Sequence, residues 1–122
     1  MHKFVSPILG ILLAVASCIA PSATAASLWW SKVITTQKTF AGCMREAQSG
    51  ARRSLSDVRV SSDEVSGSSI DQQVYVAITC VERGAGQRAV AIIAGVGENV
   101  NVVRQVVQNT AELVRTSGTP DF

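Results

Sequence analysis

The sequence predicts an α+β fold, a two-layer sandwich in which a mainly antiparallel sheet of about four strands carries two helices on one face. Two segments place apolar residues at helical spacing, and four shorter segments alternate or are rich in β-branched residues. The predicted element order is β-α-β-β-β-α. Because the middle strands follow one another through short turns, we expect them to pair antiparallel. Both amphipathic helices then need the apolar surface of that sheet.

A strand is predicted at 28–36 and the first helix from Thr39 to about Ser54. The strand segment LWWSKVITT is rich in aromatic and β-branched residues. The apolar residues of the helix recur on one face, at Phe40, Cys43, Met44, Ala47 and Ala51. We expect the hydroxyl of Thr36 or Thr39 to cap the helix and Gly50 to weaken its last turn.

Three further strands are predicted, at 57–62, 73–82 and 88–94. The serine-rich segment 61–69 is expected to form a loop or hairpin turn. The segment QVYVAITCVE has apolar residues at every second position and is the clearest strand. A tight glycine turn at 84–86 follows it, and the nearly continuous apolar run RAVAIIA then indicates a central strand.

The second helix is predicted to run from its cap at Asn99 to about Thr116. Gly95-Val96-Gly97 is expected to break the strand before it. One helix face carries Val100, Val103, Val107, Thr110, Ala111 and Val114. A Gly-Thr-Pro sequence then ends the helix, and residues 117–122 are expected to form a flexible tail.

Residues 1–25 are predicted to be a secretory signal peptide. Met1-His2-Lys3 is a short basic start, an apolar run continues to Ala20, and Ala23-Thr24-Ala25 supplies the small residues that cleavage requires. The densest apolar stretch is shorter than the ~20 residues of a membrane-spanning helix. We therefore expect residues 26–122 to be a single exported domain without a transmembrane helix. The form of the signal favours a bacterial protein, secreted to the periplasm or outside the cell.

The same segment also contains a candidate site of lipid attachment, which would give the protein a different location. Val15-Ala16-Ser17-Cys18 resembles a bacterial lipobox, in which the cysteine is acylated and becomes the new N-terminus. Lipidation of Cys18 would make this an envelope lipoprotein, because several acyl chains hold a protein stably on a membrane. The mass of the mature N-terminus distinguishes lipidation from soluble export.

The charge and histidine content of the mature chain exclude several classes of function. Removing the first 25 of 122 residues leaves 97 and takes Lys3 away, so the formal charge falls from +2 to about +1. The cations are scattered, and the pair Arg52-Arg53 is expected at a helix end, where it suits the helix dipole, so we expect no nucleic-acid partner. The only histidine, His2, lies in the predicted signal, so hydrolases with a Ser-His-Asp or Cys-His site and histidine-based nucleases or zinc sites are excluded. No catalytic residue, metal site or cofactor is predicted.

Cys43 and Cys80 are predicted to form a disulfide. They are the two cysteines that follow the predicted signal, and oxidising compartments allow such a pair to bridge. Cys43 lies on the apolar face of the first helix, and Cys80 lies on one face of the clearest strand. If that helix packs on that strand face, both thiols point into the same space between the layers.

Two further segments resemble ligand sites only in part. Gly95-Val96-Gly97-Glu98-Asn99 lies between a strand and a helix, but it lacks the third glycine of a dinucleotide motif and the Lys of a P-loop. We expect a turn whose glycines adopt positive φ. Acidic residues surround the serine-rich segment, at Asp57, Asp63, Glu64 and Asp71. No calcium-binding frame organises them, so a solvated loop is expected.

Trp29 and Trp30 are the candidate ligand-contact residues. Adjacent residues of a strand face opposite sides, so one Trp can join the core while the other stays on the outer face. Exposed Trp is common at binding surfaces, where it contacts proteins or stacks on sugars.

These observations favour a non-catalytic domain that binds an envelope protein or a glycan. One alternative is the lipid-anchored structural lipoprotein. Another is a small secreted enzyme that uses carboxylates, which would need two acids converging in a cleft. The oligomeric state is left open.

Overall fold

The computed structural model describes residues 26–118, in which a five-stranded sheet carries two helices on one face. The elements in chain order are β1 (Ser27–Ile34), α1 (Phe40–Ser54), β2 (Ser56–Val60), β3 (Glu64–Ser68), β4 (Val74–Val81), β5 (Val90–Gly97) and α2 (Val100–Ser117). All neighbouring strands pair antiparallel in the order β1-β5-β4-β3-β2, so β1 and β2 form the edges. The predicted α+β class is confirmed, with five strands instead of about four.

Helix α1 begins at Phe40, where two side chains satisfy free N–H groups. The hydroxyl of Thr39, the N-cap residue, accepts from a backbone N–H of the first turn at 3.0 Å. The Glu82 carboxylate, which follows β4, accepts from the N–H of Phe40 at 2.8 Å, and its charge suits the helix dipole. Of the two threonines expected to cap, Thr39 does so, whereas Thr36 bonds the buried carboxylate of Glu46.

The serine-rich segment contains a strand where the sequence predicts only a loop or turn. Residues 61–63 turn the chain, and β3 pairs with β2 on one side and β4 on the other. The residues of β3 are mostly small and polar, so their alternation is weak, yet Val65 and Gly67 are buried. A Cβ at Gly67 would lie 3.0 Å from the backbone oxygen of Ser56. The small residues therefore reflect close packing and not a flexible loop.

Strand β5 continues through the glycines that the sequence predicts as a break. Gly95 and Gly97 lie inside the strand, and neither has a positive φ. A Cβ at Gly95 would lie 2.5 Å from Cγ2 of Val107 on α2. These glycines therefore let α2 lie close to the sheet. Among the glycines of residues 26–118, positive φ angles belong to Gly84 and Gly86, in the predicted tight turn between β4 and β5.

Helix α2 is capped by Asn99, as predicted, and packs against α1 and along β1 and β5. The Oδ1 atom of Asn99 accepts from the N–H groups of Asn101 and Val102 at 2.9 and 3.2 Å. The buried face carries Val103, Val107, Thr110, Ala111 and Val114. Val100, which the spacing places on the same face, is exposed at the start of the helix.

The core lies between the helix layer and one face of the sheet, and the Cys43–Cys80 disulfide crosses it. The bridge joins α1 to β4 with the two Cα atoms 6.0 Å apart, so the predicted pairing is confirmed. The apolar residues buried around it include Met44, Ala47, Ala51, Val74, Val76, Ile78, Ala91 and Ile93.

Residues 1–25, with the predicted signal and Cys18, lie outside the described residues, as do residues 119–122 of the predicted tail. Ser117 is the last residue of α2, and the carbonyl of Gly118 accepts from the hydroxyl of Thr36 at 3.0 Å. Within residues 26–118, no helix has the length and apolar character that crossing a membrane requires.

Candidate functional site

The face of the sheet opposite the helices is the candidate site, and we call it the outer face. Directly paired residues of an antiparallel sheet point to the same side, so the strand register identifies its members. On four strands these are Leu28, Trp30, Lys32 and Ile34 of β1, Val90, Ile92, Ala94 and Val96 of β5, Tyr75, Ala77, Thr79 and Val81 of β4, and Glu64, Ser66 and Ser68 of β3.

Large apolar side chains are exposed together on the outer face. Leu28 is 62% exposed, Trp30 60%, Tyr75 54% and Ile34 51%. Single exposed apolar residues are ordinary on protein surfaces, but a contiguous group marks an interaction site. The aliphatic side chains of β5 lie between them and join them into one surface.

Small residues occupy the middle of one cross-strand row of the outer face, and we call this row the trough. One cross-strand row runs from Trp30 on β1 through Ala94 and Ala77 to Ser66 on β3. The neighbouring rows carry the larger residues Leu28, Val96 and Tyr75 on one side and Lys32, Ile92, Thr79 and Glu64 on the other. Trp30 therefore stands at the end of a trough of small side chains.

Two opposite charges lie at the ends of the row next to that trough. Lys32 on β1 pairs with Ile92, Ile92 pairs with Thr79, and Thr79 pairs with Glu64 on β3. Three strand spacings of ~4.8 Å separate the two charged residues, which is about 14 Å between their Cα atoms. The ion pairs found in residues 26–118 involve neither of them. A cation thus flanks the apolar centre on one side and a carboxylate on the other.

The two candidate tryptophans point to opposite sides of β1. Trp29 is half-buried against the core on the helix side, and the guanidinium carbon of Arg104 on α2 lies 5.6 Å from its ring centroid. Trp30 lies on the outer face. Of the pair singled out by the sequence, Trp30 therefore has the free ring, and Trp29 belongs to the contact between helix and sheet.

We expect Trp29→Ala to destabilise the fold far more than Trp30→Ala. Removing the packed Trp29 ring should lower the free energy of unfolding by about 2–3 kcal/mol. Removing the exposed Trp30 ring should change it by less than about 1 kcal/mol. Urea unfolding of both variants at low protein concentration, followed by far-UV circular dichroism, measures the difference. Equal large losses at both positions would show that Trp30 is packed as well.

Two amide groups that a phosphate could bind at the start of α2 are already used within the protein. The N–H groups of Asn101 and Val102 donate to Asn99 Oδ1. A depression of about 340 Å³ beside this segment is lined by Gln72, Gln73, Val74, Glu98, Asn99 and Val102. Its lining holds one carboxylate, that of Glu98, which repels anions and has no second acid beside it for paired-carboxylate chemistry.

The acidic residues around β2 and β3 do not converge on a common centre. Asp57 lies 3.5 Å from the guanidinium of Arg59. Asp63 accepts from the hydroxyl of Ser61 at 3.1 Å, and Glu64 lies on the outer face. Among the described residues, no three His, Cys, Asp or Glu side chains are grouped to hold a metal ion.

Asp71 organises the turn between β3 and β4. Its carboxylate accepts from the Ser69 hydroxyl at 2.7 Å and from the backbone N–H of Gln73 at 3.1 Å. These bonds, the one from Ser69 first, hold the pKa of the Asp71 carboxyl below its usual value, because they stabilise the ionised form. This carboxylate therefore closes a turn and makes no shared site with the other acids.

The sequence analysis does not predict Leu28, Ile34 or Tyr75 as ligand-contact residues. The segment 73–82 did indicate an apolar outer face, because the residues on both sides of this strand are largely apolar. Such a strand is either covered on both faces or covered on one and available for binding on the other. The placement of both helices on one face decides between these cases.

The sequence matches no family model, and no curated protein is significantly similar to it. The outer face is an open and largely apolar sheet surface with Trp30 at the end of its trough.

Proposed function

We propose that this protein is an exported, non-catalytic domain that binds another protein through the outer face of its sheet. The observation that carries the proposal is the clustering of exposed Leu28, Trp30, Ile34 and Tyr75 on one side of the sheet while the helices cover the other. Burying apolar surface contributes about 25 cal/mol per Å². Exposed Trp and Tyr are also the residue types that contribute most to binding at interfaces.

Export is supported by the three-part pattern of residues 1–25 and by the disulfide. Oxidising compartments outside the cytosol allow the Cys43–Cys80 bridge to persist. The proposed location is the periplasm or the extracellular space. The protein is either soluble there or, with lipid on Cys18, attached to a membrane.

A protein partner fits the outer face better than a glycan. The rings of Trp30 and Tyr75 could stack on sugars, but they lie on different rows of the sheet, and β5 separates their strands. The side chains between them are Ala94, Val96 and Ala77, which offer no hydrogen-bonding groups to sugar hydroxyls. An aliphatic centre with a polar edge is instead the composition of a protein interface.

Site-specific photo-crosslinking in the producing cell tests this proposal. Benzoylphenylalanine at Thr79, in the middle of the outer face, is expected to give one dominant covalent protein adduct. The same probe at Gln105, exposed on α2, is the matched control and is expected to give none. Thr79 carries the probe because its replacement leaves every aromatic side chain of the outer face in place.

Three outcomes would contradict the proposal. They are the absence of an adduct at Thr79 in exported and folded protein, equal adduct yields at Thr79 and Gln105, and an adduct that resists protease digestion but yields to glycan-cleaving enzymes. Adding Trp30→Ala to the Thr79 probe is expected to reduce the adduct yield, because the largest exposed ring of the surface is then missing.

A further inference from the structure

We infer that the partner of the outer face is a second copy of this chain, packed sheet against sheet in a two-fold dimer. This inference rests on the proposed function and specifies the partner. Two sheets that stack face to face lie about 10 Å apart with their strands nearly aligned. In a two-fold dimer the same surface must be complementary to itself, so each row of the outer face must fit a row of the other copy.

The axis that satisfies this condition runs along the strands, midway between β4 and β5. It places β1 of one copy over β3 of the other and β5 over β4, because the sheet order is β1-β5-β4-β3-β2. Each cross-strand row stays opposite the same row of the second copy. Four strands are then covered, and the short edge strand β2 lies outside the contact.

This arrangement pairs Lys32 and Glu64 of the outer face between copies. Lys32 and Glu64 lie at opposite ends of one row, so the axis brings Lys32 of one copy over Glu64 of the second copy, and the symmetry repeats the contact. Within one copy the same residues are too far apart to bond. Their charges are therefore complementary across the axis.

The shape of the outer face is complementary about the same axis. Trp30 lies opposite Ser66 of the second copy and beside its Ala77, so the largest ring meets the small residues of the trough. In the adjacent row, Tyr75 lies opposite Val96 of the second copy. Large side chains thus face small or aliphatic ones, as close packing between two sheets requires.

The covered area is in the range that a stable dimer needs. With ~4.8 Å between strands and ~6.8 Å between side chains on the same side of a strand, four strands and four rows give a projected area of about 500 Å² per copy. Protruding side chains such as Trp30 raise the accessible area towards the roughly 800 Å² per partner that standard interfaces bury.

Charge reversal tests the dimer. Sedimentation equilibrium of the protein purified after export, disulfide intact, gives the dimer Kd for wild type, Lys32→Glu, Glu64→Lys and the double variant. Each single reversal is expected to raise the Kd about tenfold or more, because it places like charges opposite each other twice. The double reversal restores opposite charges and is expected to return the Kd to within about threefold of wild type.

The matched control is Arg45→Glu, the same change of charge at an exposed position of α1, on the helix layer. This change is expected to leave the dimer Kd unchanged. Circular dichroism and urea unfolding midpoints are measured for every variant to check that it is folded. A wild-type monomer at all concentrations, or a dimer whose Kd responds to neither Lys32→Glu nor Glu64→Lys, would overturn the inference. A double variant no better than the singles would overturn it as well.

The crosslink at Thr79 separates failure of the dimer from failure of the proposed function. An adduct at twice the mass of the monomer supports both. A monomeric protein that still forms an adduct with a different protein overturns the dimer and leaves the outer face as a binding surface. A monomeric protein without any adduct contradicts both.

Discussion

Replacing Cys43 and Cys80 together with alanine is expected to lower the free energy of unfolding by about 3–4 kcal/mol, the loop-entropy contribution of a bridge across such a span. The bridged residues are 37 positions apart, so the disulfide removes many conformations from the unfolded chain. Small domains have only about 5–15 kcal/mol of total stability. The bridge therefore contributes a large share of the free energy of unfolding. Urea unfolding of the oxidised protein and of the double alanine variant measures this contribution.

Reduced wild-type protein is the control that separates the bridge from the sulfur atoms. It keeps both thiols in the core, so it is expected to lose nearly as much stability as the alanine variant. The remaining difference reports the packing of two buried sulfur atoms. A reduced protein as stable as the oxidised one would contradict the loop-entropy argument.

This dependence connects the fold to the proposed location. The disulfide ties α1 to β4, and so holds the helix layer on the face of the sheet opposite the outer face. A reducing cytosol would leave the chain without this contribution. The proposed export would place the protein where the bridge, and with it the packing of the helix layer on the sheet, persists.

The two helices could be predicted nearly to the residue because their signals are local. The apolar spacing of α1 and the caps at Thr39 and Asn99 need no knowledge of the rest of the chain. Gly95 is different. Its role depends on its contact with Val107 in the next helix. The sequence alone does not distinguish a glycine that lets a helix pack close to a strand from a glycine that ends the strand.

The candidate site was only partly predictable for a similar reason. Trp30 stood out by its size, but whether a strand face is covered depends on where both helices lie. The predicted bridge did contain part of the answer, because Cys80 facing α1 requires Tyr75 to face the other way. The exposure of Leu28 and Ile34 further required knowing that β1 pairs with β5 at the sheet edge, a contact between distant segments that periodicity does not show.

Gly50→Ala is expected to lower the free energy of unfolding by about 2–3 kcal/mol, although alanine is the better helix former by about 1 kcal/mol. A Cβ at position 50 would lie 2.6 Å from Cγ2 of Val114 and 2.7 Å from its backbone N and Cα, so α1 and α2 must move apart over the core. Ser49→Ala, one exposed position earlier in α1, is the matched control and is expected to be neutral or slightly stabilising. Urea unfolding of both variants measures the contrast.

A second substitution tells side-chain crowding from backbone contact. Val114→Ala removes Cγ2 but leaves the N and Cα atoms in place, so Gly50→Ala/Val114→Ala is not expected to recover the lost stability. Recovery would mean that the Val114 side chain alone limits the approach of the helices.

Because both helices lie on the face away from Lys32 and Glu64, Gly50→Ala protein that is still folded should keep the charge-dependent self-association that we infer for the wild type. Loss of association in folded protein would show that the outer face depends on the packing of the helix layer.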